Sequence, residues 1–210
     1  AVPAIIASFV LAIPIARLAR VARPLRALLV TGSSLLYAVP SLALFVILPI
    51  ILATGIRDPL NVIVALTLYG LALLVPATAD ALDAVDARVL DAATAMGMGR
   101  LRCFLTVELP LAGPAILTGL RVVTVSTISL TTVGAVLGVR SLGWLFTDGF
   151  QRGITAEIVT GLVATAALAL VLDGLVLALG RLCLPWTWKR AGDAGAVPAG
   201  ACAAASNSQE

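Results

Sequence analysis

Two oppositely charged residues lie deep inside long apolar runs of this 210-residue sequence. Arg121 comes about ten residues after a polar segment, and Asp173 precedes Arg181 by eight residues. If both runs are membrane-crossing helices, a rise of 1.5 Å per residue puts the two charges at roughly 12 to 15 Å depth. A lone charge there costs about 2.5 to 3.5 kcal/mol. The matched depths therefore predict an intramembrane ion pair between helices, and we favour a role in helix packing over gating or proton handling.

Hydroxyl side chains are dense in the run that carries Arg121. Thr124, Thr127 and Thr131 recur at steps of three and four, which places them on one face of a helix. This face is a candidate lining for an aqueous path that carries a polar solute. The alternative is that these hydroxyls bond to carbonyls of their own helix or to a neighbouring helix.

Residues for covalent or metal chemistry are scarce. The sequence has no histidine, and its three cysteines lie far apart at positions 103, 183 and 202. That spacing matches no metal or redox motif. A Gly-x-x-x-x-Gly-Lys phosphate loop is absent from the sequence, so it lacks that means of hydrolysing ATP. We expect no catalytic residue, no metal site and no cofactor bound by this chain, which is therefore not expected to be an enzyme.

The composition predicts an all-α polytopic membrane protein. Hydrophobic residues make up 60% of the sequence, charged residues 12%, and the mean hydropathy is +1.09. The net charge of +3 comes from basic residues beside apolar runs, so membrane lipid explains it and no nucleic-acid partner is implied. The uncharged runs predict about five spans, namely 1–16, 27–56, 59–79, the run after Pro110, and 154–180.

Several features qualify these spans. Run 1–16 is short for a span, and we expect upstream residues to complete it. Pro40 and Pro49 interrupt the second run. Segment 134–153 is rich in glycine and reads as a loop or a re-entrant piece. We assign 1–180 to the transmembrane domain and 181–210 to a largely disordered cytoplasmic tail, because the tail is rich in Ala, Gly and Ser.

Basic residues set the predicted orientation. If segment 80–110 faces the cytoplasm, ten Arg and Lys side chains lie on that side, and three, Arg57, Arg140 and Arg152, lie on the other. The positive-inside rule then predicts an outside N-terminus and a cytoplasmic C-terminus.

Segment 80–110, which we call the elbow, is polar and helix-forming. Gly97 and Gly99 stand where a helix would end, because glycine adopts the left-handed cap without a Cβ penalty. A second helix is predicted to begin near Arg100, and Pro110 marks the return to apolar sequence. The first helix is predicted from apolar positions at steps of three and four, which are Leu82, Val85, Val89, Ala93 and Met96.

The elbow resembles a known motif. Asp91-Ala92-Ala93, three residues, Gly97, nine residues and Val107-x-Leu109-Pro110 are similar to the EAA loop of ABC importer permeases. That loop reads Glu-Ala-Ala, three residues, Gly, nine residues, Ile-x-Leu-Pro. Asp91 replaces the usual Glu, and Val107 replaces the usual Ile. The alternative is an ordinary amphipathic loop helix.

The resemblance implies a fold and a set of partners. The fold would be that of a type I ABC importer permease, with the elbow as the coupling helix that docks on a separate ATPase subunit. The implied partners are two ATPase subunits that hold ATP and Mg, an extracytoplasmic substrate-binding protein, and a second permease copy as homodimer or paired permease. The implied location is the bacterial plasma membrane. The ATPase-coupling residues would be Asp91, Ala92, Ala93, Gly97, Leu109 and Pro110.

Further stretches resemble the osmoprotectant branch of this family, which imports glycine betaine, carnitine, choline or proline. These are 37–43, 85–93, 119–121 and 138–143. The resemblance implies uptake of such a solute. An importer for another small polar solute, for example methionine, is the nearest alternative. A secondary transporter more often has several intramembrane carboxylates, whereas Asp173 is nearly alone.

Overall fold

The computed structural model of the protein describes residues 1–21, 23–55, 58–139 and 141–184. These ranges contain helices and turns and no β-strand, so the all-α prediction is confirmed. The helices are α1 (Val2–Val21), α2 (Arg23–Ala38), α3 (Ser41–Leu52), α4 (Pro59–Asp83), α5 (Ala87–Ala95), α6 (Arg100–Cys103), α7 (Leu109–Val133), α8 (Trp144–Arg152) and α9 (Thr155–Cys183). A π-helical turn (Phe104–Glu108) precedes α7, and a 3₁₀ turn (Gly134–Leu137) follows it.

Four helical stretches are long and apolar enough to cross a membrane. They are Val2–Arg20, Pro59–Asp83, Arg100–Leu137 and Thr155–Cys183. A fifth candidate is the bent pair Arg26–Ala38 and Ser41–Leu52, whose axes differ by 105°. The described residues therefore contain four candidate spans, or five if the bent pair counts as one, in agreement with the prediction of about five.

The predicted second span is broken at one of its two prolines. Pro40 lies between α2 and α3, because the residue before a proline is driven out of the helical conformation. The carbonyl oxygen of Val39 accepts a 2.5 Å hydrogen bond from the Tyr69 hydroxyl of α4. Pro49 lies inside α3, so the prediction that both prolines interrupt the run is wrong for Pro49.

Helix α4 is the centre of the bundle. It packs against α1, α2, α3 and α7, and its buried residues include Leu66, Leu74 and Leu82. Helix α1 approaches it through a stripe of small buried residues. A Cβ added at Gly70 of α4 would lie 2.7 Å from the Cβ of Ser8, so glycine is required for this contact. The stripe consists of Ala4, Ser8, Ala12, Ala16 and Ala19.

Segment 134–153 folds as a turn followed by a short helix. Gly138 has φ of 80°, and α8 then packs against α9 in a hairpin. Gly149 and Gly161 permit the close approach, since an added Cβ at either would lie 2.9 Å from a side chain of the other helix. With nine residues, α8 is too short to cross a membrane.

The predicted boundaries shift at both ends. Helix α1 continues to Val21 and α2 begins at Arg23, so most of the segment between the first two predicted spans, 1–16 and 27–56, is helical. Helix α9 continues to Cys183, so the first residues of the predicted tail are helical too. Residues 185–210 lie outside the described residues, as do Arg57 and Arg140.

Candidate functional site

The elbow begins with a break in the chain after α4. The predicted continuous helix from Leu82 to Met96 is wrong, because α4 ends at Asp83 and α5 begins at Ala87. Asp86 causes the restart. Its backbone is extended, and its carboxylate accepts a 2.9 Å hydrogen bond from the backbone N–H of Arg88 as a helix N-cap. Because of this break, the axis of α5 need not continue that of α4.

Gly97 ends α5 in a Schellman motif. Its φ is 79°, its N–H donates to the carbonyl of Thr94 at 2.9 Å, and the N–H of Met98 donates to the carbonyl of Ala93 at 3.2 Å. The predicted left-handed cap is therefore present at Gly97. Gly99 has φ of −64° and precedes α6, so the same prediction is wrong for Gly99.

Pro110 lies within a continuous helical stretch. The π-helical turn before α7 explains why the stretch is not broken. A proline within a helix clashes with the carbonyl four residues earlier, and here the N–H of Leu109 bonds to the carbonyl of Phe104, five residues back. The wider turn accommodates the ring. The elbow's return arm is thus helical from Arg100 into α7.

The alanine pair of the motif divides between two environments. Asp91 and Ala92 are exposed, whereas Ala93 is buried. Only Ala92 can therefore let a docking surface approach closely. The elbow also exposes four large apolar side chains, namely Val89, Met96, Leu101 and Leu105.

The last two motif residues lie away from this exposed face. Leu109 packs against a buried cluster that includes Ala16, Leu82 and Ile116. Pro110 lines an apolar groove described below. Both residues are placed to fix the start of α7 within the bundle. Their contact with an ATPase subunit stays a prediction.

An ionic cluster joins the two ends of the elbow to α1 and α2. We use this term for Arg20, Arg26, Asp83 and Glu108. Arg20 Nε lies 3.4 Å from Asp83 Oδ1, and Arg20 Nη1 donates to Glu108 Oε1. Arg26 Nη2 contacts the other oxygen of Asp83.

A stacking contact supports the cluster. The guanidinium carbon of Arg17 lies 4.2 Å from the centre of the Phe104 ring, which is buried at the start of the π-helical turn. From the sequence, Arg17 and Arg20 served only to orient the chain, and their contacts with Phe104, Asp83 and Glu108 were not predicted. The available signal was a carboxylate at each end of the elbow facing an arginine-rich helix end.

The structure brings Arg121 of α7 and Asp173 of α9 together. Arg121 Nε donates to Asp173 Oδ1 at 2.8 Å, and Nη2 donates to Oδ2 at 2.6 Å. This is the fork-to-fork geometry in which a guanidinium binds a carboxylate most specifically. The pair joins α9, of which only Gly161 and Gly180 are buried, to the bundle.

Two of the three threonines donate side-chain hydrogen bonds to carbonyls of α7 itself. Thr124 Oγ1 donates to the carbonyl of Leu120 at 2.8 Å, and Thr131 Oγ1 donates to the carbonyl of Thr127 at 2.7 Å. Thr124 and Thr127 are buried, and Thr131 is half-buried. This geometry fits the alternative of hydroxyls bonded to their own helix. A role in lining the solute path stays a prediction.

An apolar groove of about 520 Å³ lies between α1, α7 and α9. Phe9, Leu120 and Leu175 are among its lining residues, and Thr124 reaches its wall. The groove offers almost no polar group to a solute. Within the described ranges, no three His, Cys, Asp or Glu side chains are grouped to hold a metal ion.

Comparison with known proteins gives a family match over most of the chain. The family described as "Binding-protein-dependent transport system inner membrane component" matches residues 4–188.

Individual relatives are about one third identical to this chain over the aligned regions. The choline transport system permease protein OpuBD of Bacillus subtilis is 31% identical over 81% of this chain and 74% of its own length. The osmoprotectant import permease protein OsmY of Salmonella typhimurium is 34% identical over 70% and 61%. The ergothioneine transport permease/ergothioneine binding protein EgtU of Helicobacter pylori is 33% identical over 72% and 27%. The chain thus spans from about a quarter to three quarters of these relatives' lengths.

Solved structures share the fold. A chain of the MetNI methionine ABC transporter, solved in inward-facing conformations, aligns with a TM-score of 0.68 and 22% identity over 87% of this chain and 88% of that one. A second crystal form gives a TM-score of 0.66 at 20% identity. This likeness confirms the predicted type I importer permease fold and carries no information on the solute.

Proposed function

Because the chain belongs to the family of inner membrane components of binding-protein-dependent transport systems, we propose that it is the permease subunit of an ABC importer. It forms the transmembrane path for an osmoprotectant such as glycine betaine, carnitine, choline or proline. The observation that carries the proposal is the family match over residues 4–188, which includes the elbow and all but the first two residues of the candidate spans.

The elbow is the part that receives force. Its exposed face combines the carboxylate of Asp91, the small side chain of Ala92 and the apolar side chains of Met96 and Leu101. An exposed surface that combines apolar side chains with a charged group is suited to binding a protein partner. The Schellman turn at Gly97 sets the angle between α5 and the return arm. Because the return arm is helical from Arg100 into α7, a displacement of α5 is transmitted to α7.

The motor is a separate subunit. Two ATPase subunits bind ATP and Mg, and their closure moves the elbows of two permease copies, which form a homodimer or a pair of related permeases. A binding protein on the outer side delivers the solute. This division of labour is supported by the family description, which names a binding-protein-dependent system, and by the exposed apolar face of the elbow.

The proposed solute follows from the relatives. The proteins that resemble this chain include permeases named for choline, for glycine betaine, carnitine and choline, and for osmoprotectants in general. Choline, carnitine and glycine betaine share a quaternary ammonium group. The relative named for ergothioneine makes that compound a second candidate. Methionine is supported only by the shared fold.

The chain lies in the bacterial inner membrane, with the elbow and the C-terminus in the cytoplasm and the N-terminus outside. This orientation places Arg17, Arg20 and Arg26 of α1 and α2 on the cytoplasmic side, as the positive-inside rule favours. The exposed apolar surface of α9 faces lipid or the second permease copy.

Uptake in cells tests the proposed function. The permease is expressed with its ATPase and binding protein in a strain that lacks osmoprotectant uptake, and labelled glycine betaine, choline, carnitine, proline, ergothioneine and methionine are compared. We expect uptake of at least one osmoprotectant, lost when the ATPase carries an inactive catalytic site. Uptake of methionine alone would overturn the proposed solute class.

A further inference from the structure

The two ends of the elbow converge on a single side chain. Asp83 is the last residue of α4, and Glu108 is the last residue before α7. Both carboxylates contact the guanidinium of Arg20, Asp83 through Nε at 3.4 Å and Glu108 through Nη1. A guanidinium has five N–H donors in a fixed plane, so it can hold two carboxylates on different edges.

Two further contacts restrain the junction formed by Arg20, Asp83 and Glu108. Arg17, one turn before Arg20 on α1, covers the buried ring of Phe104. Arg26 of α2 holds the second oxygen of Asp83. The side chain of Glu108 is 14% exposed, so it is largely withdrawn from solvent when paired. The last turn of α1 is therefore attached to both ends of the elbow.

Helix α1 in turn reaches the middle of the bundle. Ala12 and Ala16 pack against α4, and Phe9 and Ile13 line the groove between α1, α7 and α9. Covalent continuity links the elbow to α4 and α7 alone. The contacts of Arg20 add α1 as a third helix that must follow when the elbow moves.

We propose that Arg20 is a positioning residue that couples movement of the elbow to α1, so that force from the ATPase reaches three helices together. This inference rests on the proposed function. It assigns no contact with ATP or solute to Arg20, whose role is to hold Asp83 and Glu108 at a fixed distance from α1.

The proposal separates hydrolysis from transport. In Arg20→Gln the exposed face of the elbow is unchanged, so the ATPase binds and hydrolyses ATP, but the last turn of α1 is no longer held to Asp83 and Glu108 and follows the elbow only through its packing on α4. Glu108→Gln weakens the same contact from the other side. If the two residues act through one contact, the double variant is no worse than the more affected single variant.

The experiment uses proteoliposomes with permease, ATPase and binding protein, and measures labelled glycine betaine taken up per ATP hydrolysed. Arg152→Gln is the matched control, because Arg152 forms an ion pair with Asp148 within α8, away from the elbow. We expect the ratio to fall at least about threefold for Arg20→Gln and Glu108→Gln and to stay unchanged for Arg152→Gln. The ATPase should copurify with all three variants in equal amounts.

Three results would overturn the inference. One is an unchanged ratio in both elbow variants. Another is loss of membrane protein and of copurified ATPase with the ratio intact, which would make Arg20 merely structural. The third is additive loss in the double variant. If the Arg20→Gln variant does not insert into the membrane, the uptake ratio of Glu108→Gln alone decides whether the inference holds. Absence of ATP-dependent uptake of glycine betaine, choline, carnitine and proline alike with the parental protein would instead refute the proposed function.

Discussion

The guanidinium of Arg121 meets the carboxylate of Asp173 with two parallel hydrogen bonds, 2.8 Å from Nε to Oδ1 and 2.6 Å from Nη2 to Oδ2. The two residues are 52 positions apart, on α7 and α9. Helix α9 has few buried residues, so this pair is a principal polar link between it and the bundle.

Breaking the Arg121–Asp173 pair should destabilise the protein. Arg121→Gln or Asp173→Asn leaves one charge without its partner in an apolar helix, which is unfavourable in a membrane. We expect severalfold less folded protein in membranes, measured by fluorescence-detected size exclusion. Combining Arg121→Asp with Asp173→Arg should recover much of the folded protein and of the uptake.

The control for the Arg121–Asp173 pair is Arg152→Gln. Arg152 pairs with Asp148 four residues earlier and is largely exposed, and such pairs contribute about 0.3 to 0.5 kcal/mol. A charge swap that is no better than the worse single variant would contradict a direct interaction.

Gly97→Ala should weaken the elbow although there is room for a methyl group. Nothing lies within 4 Å of an added Cβ, but φ is 79°, where an L-residue costs about 1 to 2 kcal/mol. We expect a lower melting temperature and less copurified ATPase. Gly99→Ala is the matched control, because Gly99 has equal space and φ of −64°. Equal loss in the two variants would show that backbone conformation is not the cause.

Ala92→Asp should prevent docking of the ATPase without unfolding the elbow. Ala92 is exposed on α5, and a new charge on a surface that becomes buried is costly unless it is paired. We expect about tenfold less copurified ATPase. Ala87→Asp is the control, since position 87 is also exposed and lies about 140° around the same helix. Normal copurification with Ala92→Asp would place the docking surface elsewhere.

Tyr69→Phe should loosen the broken span. The change removes the hydrogen bond to the Val39 carbonyl at the α2–α3 break, which is worth about 1 kcal/mol. We expect a lower melting temperature in detergent. Tyr37→Phe is the control, because Tyr37 contacts the ring of Tyr69 edge to face at 6.3 Å and its substitution keeps that contact. An equal effect of both substitutions would argue against the carbonyl bond.

Local rules and composition account for much of what was predicted correctly. The Schellman turn at Gly97 follows from the intrinsic freedom of glycine, and the spans follow from uncharged length. The pairing of Arg121 with Asp173 was inferred from two opposite charges at similar distances from the same predicted membrane face. In each case the deciding information lies in a short segment or in a simple count of residues.

The missed features depend on partners far away in the sequence. Arg20 and Glu108 are 88 residues apart, so the sequence shows a carboxylate at each end of the elbow and an arginine-rich segment but does not specify which of them pair. The 105° bend at Pro40 is held by Tyr69, thirty residues later. Val89 and Met96 are exposed although the sequence pattern placed them with Leu82, because α4 ends at Asp83 and α5 starts anew after the Asp86 cap.

The central claim is that a separate ATPase drives this chain through its elbow, and solute uptake into proteoliposomes tests it most directly. Permease, ATPase and binding protein are reconstituted with ATP inside and with the binding protein and labelled osmoprotectant outside. We predict uptake that needs internal ATP and disappears when the ATPase subunit is left out or when Ala92→Asp blocks its docking. Uptake that continues at the same rate without the ATPase would contradict the account.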